Sequence, residues 1–574
     1  MKGAFDMKSK EIASPPLYDV TVIGAGLAGT LTALKLANKG YKVLLIDKEG
    51  EIIPRTSSSF NESYRLHTGF HYVGDLDTAK QCLLNAIEFA KEFPDCILGG
   101  EDVNNPLRRS RYYFMSKSLF PLSEIKNVAK ELKTFYAELI AKDSKNKVFG
   151  KPEDFFQTLD PKHYEHVSND IPFYNLKYKE SIKVQWGIET AESLIDIEKL
   201  KNKLTKKIKE NKNIHFVPYT EATQISQKAD SIGYVVTTKD KKTFHTKGIV
   251  NCAWQNAEKL NKTVGNYTPD PNRVNRLKAS IRVKLPKGFE NLQTCLFGVG
   301  PFCSFANLGD GTGILTSEKT TNIDSYQAGE RFRNKEVNEL IQTLDPKQGK
   351  GQELAEKILA ECASYIPLLQ DCTIQEIRLG YVKLMETKQT YTTSSLYTKE
   401  SPIHSRIPDG ITINDLLYIS GDAMKMINAP HNAIKIANIL DKHFETAAVM
   451  EGIFALAKKQ VNENLPKTTP TLLNPLLYIT NKRILWEEAK KIKETAELKK
   501  NQKFYANWTA AEVIKYINNM EKVKHEKTFD PAFLKKSNHT FFFEGKRGSQ
   551  KEEIKKSSLS TSNALTKDSS RSKL

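Results

Sequence analysis

The run Gly24-Ala25-Gly26-Leu27-Ala28-Gly29 constrains this chain more than any other segment. It directly follows Tyr18 to Ile23, a β-branched stretch that reads as a strand buried on both faces. It opens Leu27 to Asn38, where small and apolar residues recur at helical spacing until Gly40. A second strand, Lys42 to Ile46, closes on Asp47, which completes a βαβ unit in about thirty residues. In a G-x-G-x-x-G turn the first glycine makes the tight bend, the second lets backbone N–H groups approach a pyrophosphate, and the third lets helix pack on strand. Asp47 stands where a carboxylate bonds the adenosine ribose hydroxyls and repels a 2′-phosphate. The expected ligand is therefore a dinucleotide with an unphosphorylated ribose, FAD or NAD.

A chain of 574 residues is too long for one hydrophobic core and should divide into several packed domains. Its 39% apolar and 27% charged residues exclude a wholly disordered chain. The formal charge of +18 would suggest nucleic acid or an anionic surface if it were spread evenly. From Glu451 onward, however, 25 Lys and Arg face 14 Asp and Glu, so +11 of the excess lies in the last fifth and the main body is only mildly basic. Nucleic acid is not an expected partner. Seven scattered cysteines without a C-x-x-C pair predict a reduced compartment and no metal site. No secretory signal or membrane span is legible, and the expectation is a soluble, cytoplasmic protein. The closing Ser572-Lys573-Leu574 would be a peroxisomal address in a eukaryotic host.

The coarse pattern predicts an α/β protein. A Rossmann-like dinucleotide-binding domain (18–95, 181–265 and 386–448) is interleaved with a mixed β-sheet substrate domain (96–180 and 266–385), after a flexible start at 1–17. Residues 449–543 read as a basic helical extension, and 544–574, rich in Ser, Lys and Thr, as a disordered tail.

Ser57-Ser58-Ser59-Phe60-Asn61 and Arg65-Leu66-His67-Thr68-Gly69-Phe70-His71-Tyr72 decide between flavin and nicotinamide. Here the sequence resembles the D-amino-acid-oxidase-like FAD-dependent oxidoreductases, in which a Ser-x-Asn element and an Ile/Leu-His-x-Gly element run beneath the flavin. The R-x-H-x-G-x-H-Y form is most similar to a poorly characterised bacterial branch of that superfamily, and Tyr112 to Ser118 resembles a segment of the same branch. The resemblance implies FAD contacts by Gly24, Gly26, Leu27, Ala28, Gly29, Asp47, Lys48, Ser58, Ser59, Asn61, Arg65 and His67. It extends them to Ala222 on the strand over the adenine, to Ala253, and to Gly421, Asp422, Met426 and Ile427 of a C-terminal flavin segment. Trp254 stands where the family has a glycine, and Lys425 and Met426 where it often has another.

The resemblance implies hydride transfer from a small amino acid, amine or 2-hydroxy acid to FAD, by an oxidase or dehydrogenase acting on CH–NH or CH–OH donors. Arg378 is the expected substrate-carboxylate arginine, with an ion pair at a strand end as the other reading. His71 is expected on the substrate side, His67 against the flavin, and Tyr72 and Tyr381 as pocket walls. Arg65 would neutralise the pyrophosphate or lie at the flavin edge. A second reading keeps the flavin but lets the chemistry decay, with the basic C-terminal helices binding a protein partner or an anionic surface.

Overall fold

The computed structural model describes residues 17–464, apart from 62, 101, 103–104, 165, 175–178, 229–232, 265–266, 268–272, 329, 331–334, 386–397, 402–403, 406–409 and 422–424. The expected flexible start, most of the basic extension, the tail and Asp422 lie outside the described residues.

Tyr18–Ile23 and Val43–Ile46 are strands with almost no exposed side chain, and Leu27–Asn38 is the helix between them. The two strands pair in parallel, as a βαβ crossover requires. Around them forms an eight-stranded sheet with the spatial order 411–415, 418–421, 243–251, 18–23, 43–46, 214–217. Strands 234–238 and 222–227 fold back antiparallel from the 243–251 strand. Every pairing inside the 418–421 to 214–217 block is parallel, which explains why these strands read as continuous apolar runs.

The chain leaves this sheet to build a nine-stranded mixed sheet, in which only 110–115 and 294–298 pair in parallel. Its longest members are Arg273–Lys284 and Thr373–Met385, paired antiparallel along nearly their whole length. Strand Val184–Thr190 also belongs here, pairing with 110–115, so the chain returns to the first sheet only after it, downstream of position 181. Helix Gly349–Tyr365 covers the outer face of the second sheet, where Ile358, Cys362 and Tyr365 pack against Phe297, Phe302 and Phe305.

The last described helix, Ala429–Asn464, begins earlier and runs further than the Ala433 to Phe444 span that apolar periodicity suggests. Pro430 in its first turn explains the early start, because proline there removes only an N–H that has no helical partner. Ala433, Ile436, Ala437 and Leu440 form its buried stripe. Among the described residues no helix is long and apolar enough to cross a membrane.

Candidate active site

A cavity of about 380 Å³ runs from the glycine turn of the first sheet to the inner face of the second. The glycine turn has a shape that suits a pyrophosphate. A Cβ on Gly24 would lie 2.5 Å from the Cys252 carbonyl oxygen, and one on Gly29 would lie 1.9 Å from that of Gly24, so helix and strand meet there without room for a side chain. A Cβ on Gly26 would meet nothing within 4 Å, so the space above it belongs to the cavity. Gly26 caps the helix with no side-chain hydrogen bond, which leaves the first-turn N–H groups facing a place where phosphate oxygens are welcome. Leu27, Ala28 and Lys48 line the same end.

Asp47 closes the adenosine end. Its Oδ2 accepts from the Ala25 N–H at 2.6 Å and its Oδ1 from the Glu49 N–H at 2.8 Å, so the carboxylate is locked onto the glycine turn. Burial raises its pKa, and these two backbone donors oppose that shift. Ala222 and Ala253 also face the cavity.

The Ser-x-Asn element forms the middle of the wall, with Ser58, Ser59 and Asn61 all on the cavity. The Ser58 hydroxyl accepts from the Tyr381 N–H at 3.0 Å, and Asn61 Nδ2 donates to the Arg55 carbonyl at 3.0 Å. Tyr381 lines the cavity as well. Gly421 faces it where a Cβ would come within 2.7 Å of Ile436 Cδ1, so here strand and C-terminal helix need the glycine to pack. Met426 lines the cavity, whereas Ile427 is buried outside it.

His67, His71 and Tyr72 lie together on the cavity wall. The two imidazoles lie 5.8 Å apart between ring centroids, and His71 meets Tyr72 edge-on at 5.2 Å. Lys425, at one of the sites where the family often has glycine, places its Nζ 4.8 Å from the centre of the Tyr72 ring.

One expectation is corrected. Arg378 does not reach the cavity: it is 2% exposed and bonded to the Tyr64 hydroxyl at 2.5 Å and to Glu376 at 2.8 Å. Its guanidinium lies over the Phe60 ring and is held by Tyr64 and Glu376, which agrees with the ion-pair reading and keeps it out of the cavity. Arg65 lines the cavity, and its guanidinium is anchored to the second sheet. Nη2 donates to the Cys295 and Phe305 carbonyls at 2.7 and 3.1 Å, pinning the His67 segment to the second sheet.

The end of the cavity formed by the second sheet carries residues that no motif marks. Arg276, Lys278 and Ser280 line the cavity from the second sheet, facing Ser304, Thr316 and Glu318. Glu318 accepts from Arg276 Nη2 at 3.0 Å and from Lys278 Nζ. Burial would raise the Glu318 pKa, but Lys278 and Arg276 hold it well below the carboxylate range. One signal was available: the i, i+2 spacing of Arg276, Lys278 and Ser280 puts all three on one face of a strand.

Trp254 explains how the chain tolerates losing the family's glycine. It has φ of +51°, a region open to glycine that costs another residue about 1–2 kcal/mol. The indole N–H donates to the Tyr381 carbonyl at 2.8 Å, and Lys383 Nζ sits 5.2 Å from the ring centre. Trp254→Gly and Trp254→Ala both lose these contacts, but only alanine keeps the backbone strain. The glycine variant should therefore be about 1 kcal/mol more stable than the alanine variant by denaturant unfolding.

The glycine-turn sheet and a second sheet bearing Arg276 and Lys278 thus share one cavity, with His67 and His71 on the segment between them, an arrangement that fits a dinucleotide-dependent oxidoreductase. Residues 19–274 match the family model described as FAD dependent oxidoreductase, and the cofactor this match indicates is FAD. No curated protein matches the chain in sequence. Solved structures with a similar fold include glycine oxidase from Geobacillus kaustophilus, 14% identical with a TM-score of 0.46 over 74% of this chain and 95% of that one. L-proline dehydrogenase from P. horikoshii is 15% identical with a TM-score of 0.48, over 75% and 94%. L-alpha-glycerophosphate oxidase from Mycoplasma pneumoniae, solved with FAD bound, is 16% identical with a TM-score of 0.46, over 74% and 95%.

Proposed function

We propose that this FAD-dependent oxidoreductase oxidises a small amino acid, amine or 2-hydroxy acid that carries a carboxylate. The observation that carries this reading is the Arg276–Lys278–Glu318 cluster, which presents a net positive wall to the same cavity as the glycine turn. Arg276 keeps a buried Nε–H without a hydrogen-bond partner among the described residues, a donor suited to a substrate carboxylate. When bound, FAD accepts the hydride from the C–H beside the amine or hydroxyl. His71, beside Glu318, takes the proton that leaves the nitrogen or oxygen. The products are an imine or a keto acid and reduced flavin.

Anaerobic mixing of the holoenzyme with a panel of amino, N-alkylamino and 2-hydroxy acids should bleach the flavin with at least one of them. Failure of the whole panel, while dithionite still bleaches the flavin, would overturn the reading. Arg276→Met should leave flavin content unchanged and raise the KM for the reactive acid about 100-fold, because truncating a buried charge partner costs about 2–5 kcal/mol. An unchanged KM would remove Arg276 from substrate binding.

A further inference from the structure

We propose that Glu192, which belongs to no motif in the chain, is a positioning residue that keeps the His67 imidazole in its charged form against the flavin and thereby favours flavin reduction. The inference rests on FAD occupying this cavity and is independent of which substrate is oxidised.

Glu192 lies just past strand Val184–Thr190 and is completely buried. A carboxylate in such a place is retained only if its oxygens are engaged. Oε2 accepts from the Thr68 N–H at 3.0 Å and from its hydroxyl at 3.3 Å, and Oε1 accepts from the Tyr112 hydroxyl at 2.7 Å. Arg65 Nη1 and His67 Nδ1 then approach the same Oε1 at 3.7 and 3.8 Å. The carboxylate thus holds both ends of the 65–68 segment, and His67 projects from that segment into the cavity.

The described charged groups around His67, Glu192 apart, are mostly cations. Arg65 is a cation on its own segment, and the His71 and Tyr72 rings stand at 5.8 and 6.3 Å. Beyond those rings lie Lys425 over Tyr72 and the Arg276–Lys278–Glu318 cluster beside His71. Most of these charges are positive and would drive the imidazole neutral. Glu192 brings a carboxylate oxygen to 3.8 Å from His67 Nδ1, and an opposite charge at this range favours the protonated ring. Paired with Arg65 alone, Glu192 leaves the cluster neutral; with charged His67 the cluster is net positive, and it faces a cofactor that gains negative charge on reduction.

The test is Glu192→Gln, which preserves shape and most hydrogen bonds, read by redox-dye titration of the holoenzyme across pH. The expected result is a flavin reduction equilibrium at least tenfold less favourable, about 30 mV lower for a two-electron couple. His67→Asn should lower the potential similarly, and the double variant should add little. Equal potentials and pH profiles in Glu192→Gln and wild type would overturn the proposal, and so would a Glu192→Gln effect that persists undiminished in the His67→Asn background. Should Glu192→Gln fail to fold, nitrogen-15 imidazole spectra of the wild-type holoenzyme, with His67→Asn for assignment, give a direct reading. A neutral His67 ring at pH 7 would then reject the idea.

Discussion

Gly26→Val is expected to give a folded, colourless protein. Gly26 has φ −63° and ψ 179°, ordinary values for valine, and its Cβ direction leads into open cavity. Nothing in the fold opposes the substitution, whereas the isopropyl group fills the place where backbone N–H groups must meet the pyrophosphate. FAD affinity should fall about 100-fold or more, equivalent to about 2.7 kcal/mol, with the apoprotein unfolding at its wild-type midpoint. Visible absorbance of the purified protein and calorimetric titration with FAD are the measurements. Normal flavin content would mean that the pyrophosphate lies elsewhere. Gly29→Ala makes a useful contrast: its Cβ collides with backbone at 1.9 Å, so that variant should lose the fold itself.

Lys383→Met should be among the most destabilising single changes in the molecule. Lys383 and Glu258 form an ion pair at 3.1 Å with side-chain exposures of 0% and 1%. Removing the ammonium strands a buried carboxylate, a loss of about 3–5 kcal/mol. Glu258 Oε2 has no hydrogen-bond partner among the described residues. The double variant Lys383→Met/Glu258→Leu should recover most of the loss, because two apolar side chains of similar volume need no desolvation. Denaturant unfolding of the two single variants and the double variant completes the cycle. A loss below about 1 kcal/mol for Lys383→Met would show that water reaches the pair.

The local pattern carried the nucleotide half of the site well. Gly24, Gly26, Gly29 and Asp47 act through backbone geometry within one βαβ unit, so spacing alone placed them. Ser58, Ser59, Asn61, His67 and Gly421, singled out by a family resemblance that also rests on short motifs, line the same cavity. Ile427, two residues past Lys425, turned into the core instead, a rotation within one short helical turn that no motif records.

The substrate half behaved differently. Arg378 had the right chemistry on the right strand, yet Tyr64 and Glu376 bind its guanidinium, and that depends on how the 60–64 segment lies over the second sheet. Arg276 and Lys278 alternate on a strand in plain view, but only their pairing with Glu318, some forty residues on, turns them toward the cavity. Glu192 meets Arg65 and His67 across more than a hundred positions of chain.

The sequence by itself determined that this chain makes a βαβ nucleotide fold and binds a dinucleotide with a free ribose, because those properties reside in contiguous glycines, periodic apolar residues and one carboxylate at a strand end. Tertiary structure alone decided which charges face the reaction and which are locked in ion pairs. Charge is a property of a side chain, but whether it is available depends on desolvation and partners, and both are set by segments far apart in the chain.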